Sequence, residues 1–380
     1  MTKGKQLKIL ALNPFHGGSH RAFLDGWRER SRHQFTVLTL PPTHWKWRMR
    51  HAAASFAFEV NALQDRDWDI VFATDMCNLS EFKGLVRKDV AELPSVIYFH
   101  ENQFSYPSRG DADSIQRDLH FAMTNLVSVL SADAVWFNSD FHRQTLFSEI
   151  DSFLKSAPRL APADDARWQQ SLNSCQVASE VHSPGIDPIA LQTANEGPIR
   201  ILWAARWEHD KNPQQFFEAI DLLKAVGVEF RLSVVGESFR EVPQCFEEAA
   251  KRFSDHIDHW GYAKSAEEYR GILASADLIV STAIHEFFGI AVVEAMSAGC
   301  LPVFPDRLSY PELVNRDTTY LYDGTTQALA DTIKAWSELQ TSDPGQFRSR
   351  QAEASELASR FAWHIRAEEM DDRLEQIVDG

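Results

Sequence analysis

Residues 278–305 read LIVSTAIHEFFGIAVVEAMSAGCLPVFP. An apolar run, Leu278–Ser281, ends in the polar loop His285-Glu286-Phe287-Phe288-Gly289, a small-residue stretch Gly289–Ala298 follows with helical spacing, and a second apolar run covers Leu301–Phe304. Strand, loop, helix and strand in that order form a parallel crossover unit, and uninterrupted apolar strands belong to a sheet covered on both faces. The fold class is therefore α/β.

Working outward, the same alternation continues in both directions. Strands are expected at Ile199–Ala204, Glu229–Val235 and Ile257–Trp260 in this half, and at Leu7–Leu12, Phe35–Leu40, Ile70–Thr74, Val96–Phe99 and Ala134–Asn138 in the first. Helices are expected at Gln214–Val226, Val242–Phe253, Ala266–Ala274, Thr326–Leu339 and, in one piece, about Ala352–Val378. Prolines and glycines cluster between Val181 and Ile199, which puts a boundary near 188/189. Ala157–Arg167, rich in Ala, Pro and Asp, is expected to be an exposed insertion. The chain thus divides into a Rossmann-like domain over 1–188, a second over 189–355 and a terminal helix over 356–380. Two doubly wound domains are expected to face a central cleft lined by the carboxyl ends of both sheets.

Composition excludes several classes. With 380 residues, 44% hydrophobic and 24% charged, the chain is globular and long enough for two cores. No run approaches the length of a membrane span, and the N-terminus enters a strand without a signal-peptide pattern. Cys77, Cys175, Cys245 and Cys300 are scattered, so no disulfide framework or zinc knuckle is indicated and a cytoplasmic location is expected. The formal charge of −16 argues against a general RNA binder, but residues 1–190 carry 20 basic and 22 acidic residues while 191–380 carry 18 and 32. Ten Lys and Arg in the first sixty residues face only Asp25, Glu29 and Glu59.

Polar residues just past strand ends are the candidates for chemistry. Glu286 sits in the loop after one strand and Glu294 in the second turn of the next helix, whose start at about Gly289 aims free backbone N–H groups at a phosphate. Neither His285-Glu286 nor His100-Glu101 completes HExxH, because Gly289 and Phe104 stand where the second histidine is needed. Arg206 and Lys211 follow the strand Ile199–Ala204, with Asn212 and Pro213 placed as cap and first residue of the next helix. They suit a diphosphate, or else form surface ion pairs with Glu208 and Asp210. Near the N-terminus Gly17 and Gly18 precede Ser19, a candidate helix cap, and His20. Lacking GxGxxG, this loop taken alone reads as a tight turn before it reads as a phosphate cradle.

Two further clusters lie in the first half. His100, Glu101, Asn102, Gln103 and Tyr106 follow the strand Val96–Phe99, and Asn138 opens a weaker group ending in His142. THWKWRMR, residues 43–50, interleaves Trp45 and Trp47 with Lys46, Arg48 and Arg50. Cations for phosphates and rings for unpaired bases would make this an RNA contact; an amphipathic helix that buries its tryptophans explains the pattern equally well.

Together these segments resemble the GT-B glycosyltransferases of family 4 over nearly the whole chain. The stretch from Glu286 to Glu294 is similar to that family's Glu-x7-Glu motif, and Arg206 with Lys211 to its phosphate-contacting pair. PFHGGSH, LPPTHWKWRMR, YFHENQFSYP, FNSDFH and RWEHDKNP resemble more narrowly the tRNA-queuosine mannosyltransferase group, with Asn13 standing where that group is associated with Glu. The resemblance implies a retaining, metal-independent enzyme without cofactor that moves mannose from GDP-mannose to queuosine in the anticodon of tRNA(Asp). It implies catalytic roles for His100 beside the transferred sugar, for Arg206 and Lys211 on the leaving diphosphate and for Glu286 on the sugar hydroxyls. Gly17, Gly18, Phe288, Gly289, Ile290 and Glu294 would complete the donor site, Glu294 taking the ribose. Ser19, His20, Trp45, Lys46, Trp47, Arg48, Arg50, Glu101, Asn102, Gln103 and Asn138 would meet the acceptor. The resemblance also implies that the terminal helix crosses back onto the first domain. Alternatives are another nucleotide-sugar with a glycan, lipid or small-molecule acceptor, and a non-catalytic nucleotide-sugar or RNA-binding module. If Lys211 only neutralises leaving-group charge, Lys211→Ala should abolish turnover with little loss of folding.

Overall fold

The computed structural model describes residues 5–64, 67–105, 112–156, 162–191, 197–238 and 242–380. It forms two compact units. One comprises the chain up to Gly185 together with Trp363–Gly380, the other Ile186–Ala362.

The first unit holds β1 (Lys8–Asn13), β2 (Gln34–Thr39), β3 (Ile70–Thr74), β4 (Ser95–Phe99), β5 (Ala134–Phe137) and β6 (Glu180–Val181). They form a parallel sheet in the order β2-β1-β3-β4-β5-β6. Successive side chains on a strand point to opposite faces. Leu10, Leu12, Val71, Ala73, Ile97, Phe99, Val135 and Phe137 accordingly join one core with Phe56, Phe82 and Leu126. Their alternates Ile9, Ala11, Ile70, Phe72, Val96, Tyr98, Ala134 and Trp136 join another with Phe23, Trp27 and Trp363.

The second unit has β7 (Ile199–Ala204), β8 (Phe230–Val235), β9 (Ile257–Gly261), β10 (Leu278–Val280), β11 (Leu301–Pro305) and β12 (Leu321–Tyr322). Its parallel order is β12-β11-β10-β7-β8-β9. All ten expected strands form. The two additions, β6 and β12, are two-residue edge strands too short to leave a periodic signal.

Three expectations are corrected. Helix Pro162–Val177 occupies the later part of the supposed insertion, and 157–161 lie outside the described residues. The terminal helix is two helices, Pro344–Ser359 and Trp363–Asp379. Ser19 does not cap its helix: Gly18–Arg30 begins two residues earlier than that cap requires, behind Gly17 and without a side-chain cap.

The helix Trp363–Asp379 is locked to the first unit by polar and apolar contacts. Asp371, buried, accepts hydrogen bonds from Trp27 Nε1 (2.8 Å), Ser31 Oγ (2.7 Å) and the Arg32 backbone N–H (2.8 Å). Trp363 fits where two glycines leave room, since a Cβ on Gly26 or Gly185 would lie 2.3 or 2.2 Å from its ring carbons. Forcing a methyl group into a rigid indole contact costs about 1–3 kcal/mol. Gly185→Ala should therefore lower the melting temperature measurably in calorimetry, and an unchanged value would show that Trp363 is free to move aside.

Candidate active site

In a doubly wound sheet a crevice opens where the strand order reverses, because the crossovers on either side leave by opposite faces. In the second unit that point lies between β7 and β10. The loops there carry Arg206, Asp210, Lys211, His285 and Glu286.

The two loops are tied together. Thr282 Oγ1 donates to the Lys211 carbonyl (2.8 Å), the Ile284 N–H to the Asp210 carbonyl (2.9 Å) and Lys211 Nζ to the His285 carbonyl (2.7 Å). Lys211 is only 7% exposed, and its Nζ lies 3.3 Å from both Asp210 Oδ2 and Glu286 Oε2. Burial opposes charge on Glu286, but Lys211 and the Phe288 N–H outweigh it and hold the carboxyl below its usual range. Burial, and then Lys211, push the His285 imidazole down to about 4, so it is neutral at physiological pH. Arg206, half exposed, pairs with Glu208 at 3.3 Å. Both alternative ion pairs considered for the two cations are thus formed, and they coexist with convergence on the loop of Glu286.

Gly289 adopts φ +94°, a left-handed conformation that favours glycine, directly before the helix Ile290–Ser297. Phe288 is buried edge-on against Phe361, its N–H donates to Glu286 Oε1 (3.5 Å) and its carbonyl accepts from Ser309 Oγ (3.2 Å). Glu294 accepts a hydrogen bond from Tyr269 Oη (2.8 Å), and burial raises its carboxyl despite that bond. Asn212 is not a side-chain cap: it sits at φ +50° after the short helix His209–Lys211 and donates instead to Gln215 Oε1 (2.8 Å). Tyr269 was missed, because no spacing rule links it to Glu294.

In the first unit the order reverses between β1 and β3. Asn13 ends β1 and Asp75 follows β3, with Thr74 Oγ1 donating to Asn13 Oδ1 (3.4 Å). His100 follows β4; its ring stacks on His20 (centroids 4.1 Å) and meets Tyr98 (4.7 Å) and Phe23 (5.1 Å). Burial, with His20 and His142 nearby, pushes its imidazole well below the ordinary histidine range. Asn138 Nδ2 donates to the His100 carbonyl (2.9 Å), and Asn138 Oδ1 lies 2.8 Å from His142 Nδ1. Asn138 therefore acts on this site through His100. Asn102 is buried and builds its own loop, accepting from the Phe104 and Ser105 N–H groups. Glu101 and Gln103 are half-buried beside it, and Tyr106 lies outside the described residues. Gly17 is required by packing, since a Cβ there would meet Pro42 at 2.4 Å, whereas Gly18 (φ +50°) and Ser19 face open space. Asp75 was missed although it stands one residue past an expected strand.

The helix Trp45–Ala62 divides the alternatives proposed for its tryptophans. Trp45 packs on Phe121 (5.4 Å), while Trp47 is 64% exposed. Arg48 donates through Nε to the Pro41 carbonyl (3.1 Å), Arg50 lies over the Phe121 ring and Lys46 over Trp45.

Lys211 is too deeply paired for its removal to be silent. Lys211→Ala should cost about 3 kcal/mol, the lower end for stripping one partner from a buried pair, because Glu286 keeps part of its surface in water. A carboxyl held low in the fold stabilises above its unfolded value, and that contribution is lost as pH falls through the folded value. The melting-temperature gap between wild type and variant should therefore be widest at neutral pH and narrow below about pH 4. Equal melting temperatures at pH 7 would remove the pair from the stability of this unit.

A family model for the N-terminal part of tRNA-queuosine alpha-mannosyltransferases matches residues 8–181, and one for group 1 glycosyl transferases matches 190–357. The tRNA-queuosine alpha-mannosyltransferase of Drosophila melanogaster is 32% identical over 334 residues, covering 86% of this chain and 85% of that protein. A GDP-mannose-dependent alpha-(1-6)-phosphatidylinositol dimannoside mannosyltransferase of Mycobacterium tuberculosis is 26% identical over 172 residues, 45% of this chain and 42% of the relative. Among solved structures, sucrose-phosphate synthase from Thermosynechococcus elongatus superposes with a TM-score of 0.70 at 14% identity, covering 99% of this chain and all of that one. That likeness shows the fold, a GT-B arrangement of two Rossmann-like sheets. Matched by family models over both halves and by a relative along most of its length, the chain belongs to the tRNA-queuosine alpha-mannosyltransferase family of GT-B glycosyltransferases.

Proposed function

We propose that this chain is a retaining, metal-independent family 4 glycosyltransferase that moves mannose from GDP-mannose to queuosine in the anticodon of tRNA(Asp), acting in the cytoplasm. The observation that carries it is the pairing of Lys211 with Glu286 at the switch point of the second sheet, with Arg206 on the same loop as Lys211 and the helix at Gly289 following Glu286. GDP-mannose is favoured as donor because several relatives are named for their use of it.

Arg206 and Lys211 neutralise the diphosphate as it leaves, and backbone N–H groups at Gly289 and Ile290 receive a phosphate. Glu286 orients sugar hydroxyls, while Glu294, steadied by Tyr269, takes the ribose diol. His100 lies beside the transferred sugar as a neutral imidazole. Retention is assigned to front-face displacement. The bond from sugar C1 to the phosphate oxygen breaks, the acceptor oxygen bonds C1 on the same face, and its proton passes to the departing phosphate. The exposed Trp47, with Lys46 and Arg50, is assigned to RNA.

A second reading keeps the chemistry and changes the acceptor. Asn13 favours it: the amide accepts from the Phe15 N–H (3.3 Å) and lies 3.2 Å from His16 Nδ1, a set of contacts a glutamate would not reproduce.

Incubation with GDP-mannose and tRNA from queuosine-containing cells should add one hexose to queuosine by mass spectrometry, and tRNA from queuosine-deficient cells should stay unmodified. Transfer only from a UDP-sugar would overturn the donor, and no hexose on queuosine would overturn the acceptor. Trp47→Ala should weaken RNA binding by about five- to a hundredfold without affecting donor binding, and Arg50→Ala should lower the salt slope by about 1. Unchanged affinity and slope would leave this helix with a packing role alone.

A further inference from the structure

Asp75 follows β3 at the switch point of the first sheet and is 1% exposed. Its Oδ1 accepts the backbone N–H of His100 (3.1 Å), and its Oδ2 is buried with no hydrogen-bond partner among the described residues. Its carbonyl accepts from Asn125 Nδ2 (3.1 Å) on the helix Ala112–Ser131, and Asn125 Oδ1 accepts the Gln103 N–H (2.8 Å). The His100 peptide is therefore gripped at its N–H by Asp75 and at its carbonyl by Asn138.

The titratable groups around Asp75 are Tyr98 and His100 on and after β4 and Glu101 on the following loop. On the β1 side stand Asn13 and His16, which bond each other. From the helix Trp45–Ala62, Met49 packs with Met76, while Arg50 turns onto Phe121. Among the described residues Asp75 has no ion pair. An ionised carboxylate with a buried, unpartnered oxygen and a second acid close by is costly, whereas a protonated one keeps Oδ1 as acceptor without that charge.

We propose that Asp75 is a positioning residue, a neutral carboxylic acid that holds the His100 peptide, and with it the imidazole, in register for mannosyl transfer. The proposal rests on the role given to His100 under the proposed function. Burial, and after it the charge of Glu101, push the Asp75 carboxyl well above the ordinary range against the opposing His100 N–H. Asparagine has the same shape and offers the same acceptor oxygen; alanine offers none.

Two measurements on the full chain test this. In steady-state kinetics across pH, Asp75→Asn should keep turnover within about threefold of wild type and abolish the loss of kcat on the alkaline side. Asp75→Ala should lose kcat on the order of 100-fold with the KM for GDP-mannose unchanged, as expected for misplacement of a group near the reacting atoms. In thermal unfolding, an acid whose folded value is raised loses stability as pH climbs from its unfolded value of about 4 toward the folded one. Asp75→Asn should accordingly gain in melting temperature over wild type as pH rises. An Asn variant as inactive as the Ala variant, or no gain in stability between pH 5 and 8, would overturn the proposal. If wild type transfers no hexose to tRNA, the functional reading falls and the positioning role with it, while the melting comparison still decides whether the acid is neutral.

Discussion

A parallel strand that is apolar on both faces leaves no place for a polar side chain except beyond its ends. Both sheets obey this constraint. In the first, Ile9 to Leu12 and Ile70 to Ala73 are fully buried, and the chain turns polar at Asn13 and at Thr74-Asp75. In the second, Trp203 and Val280 are buried, and the next residues lead to Arg206 on one side and to Ser281, Thr282 and Glu286 on the other. The candidate residues therefore collect past strand ends, Asn13 and Asp75 at the reversal of the first sheet and His100 and Asn138 after the neighbouring β4 and β5.

This is why so much was legible from the sequence. Long apolar runs such as Ile199–Ala204 and Leu301–Phe304 declare parallel strands, and the residue following each run is a site candidate by position alone. What could not be read were contacts that no local period encodes. Tyr269 reaches Glu294 from another helix, Lys211 meets Glu286 across 75 positions of chain, and Trp27 meets Asp371 across 344. Caps failed for a related reason. Ser19 and Asn212 are cap-type residues in cap-like places, but the loops before them close on backbone and on Pro42, so the side chains are not called upon.

The net charge acquires a different meaning once divided. The acidic excess lies largely in residues 191–380, whereas the basic surplus of the first sixty residues includes the half-buried helix Trp45–Ala62. On that helix the two tryptophans have separate duties, Trp45 in the packing against Phe121 and Trp47 toward water. An indole two-thirds exposed among Lys46, Arg48 and Arg50 is an expensive choice for a helix that needs only to stay soluble.

The two units treat buried polarity in opposite ways. Around His100 charge is avoided: the imidazole is held neutral, Asp75 is pushed toward its neutral form, and backbone groups and amides do the holding. Around Lys211 charge is kept and balanced by Asp210 and Glu286. That balance separates the two cations of the proposed donor site. Arg206 is bound to Glu208 by a half-exposed pair of the kind worth roughly 0–1 kcal/mol. Lys211 cannot be drawn from two carboxylates and a carbonyl so cheaply. It is a fixed charge of the fold, held between Asp210 and Glu286.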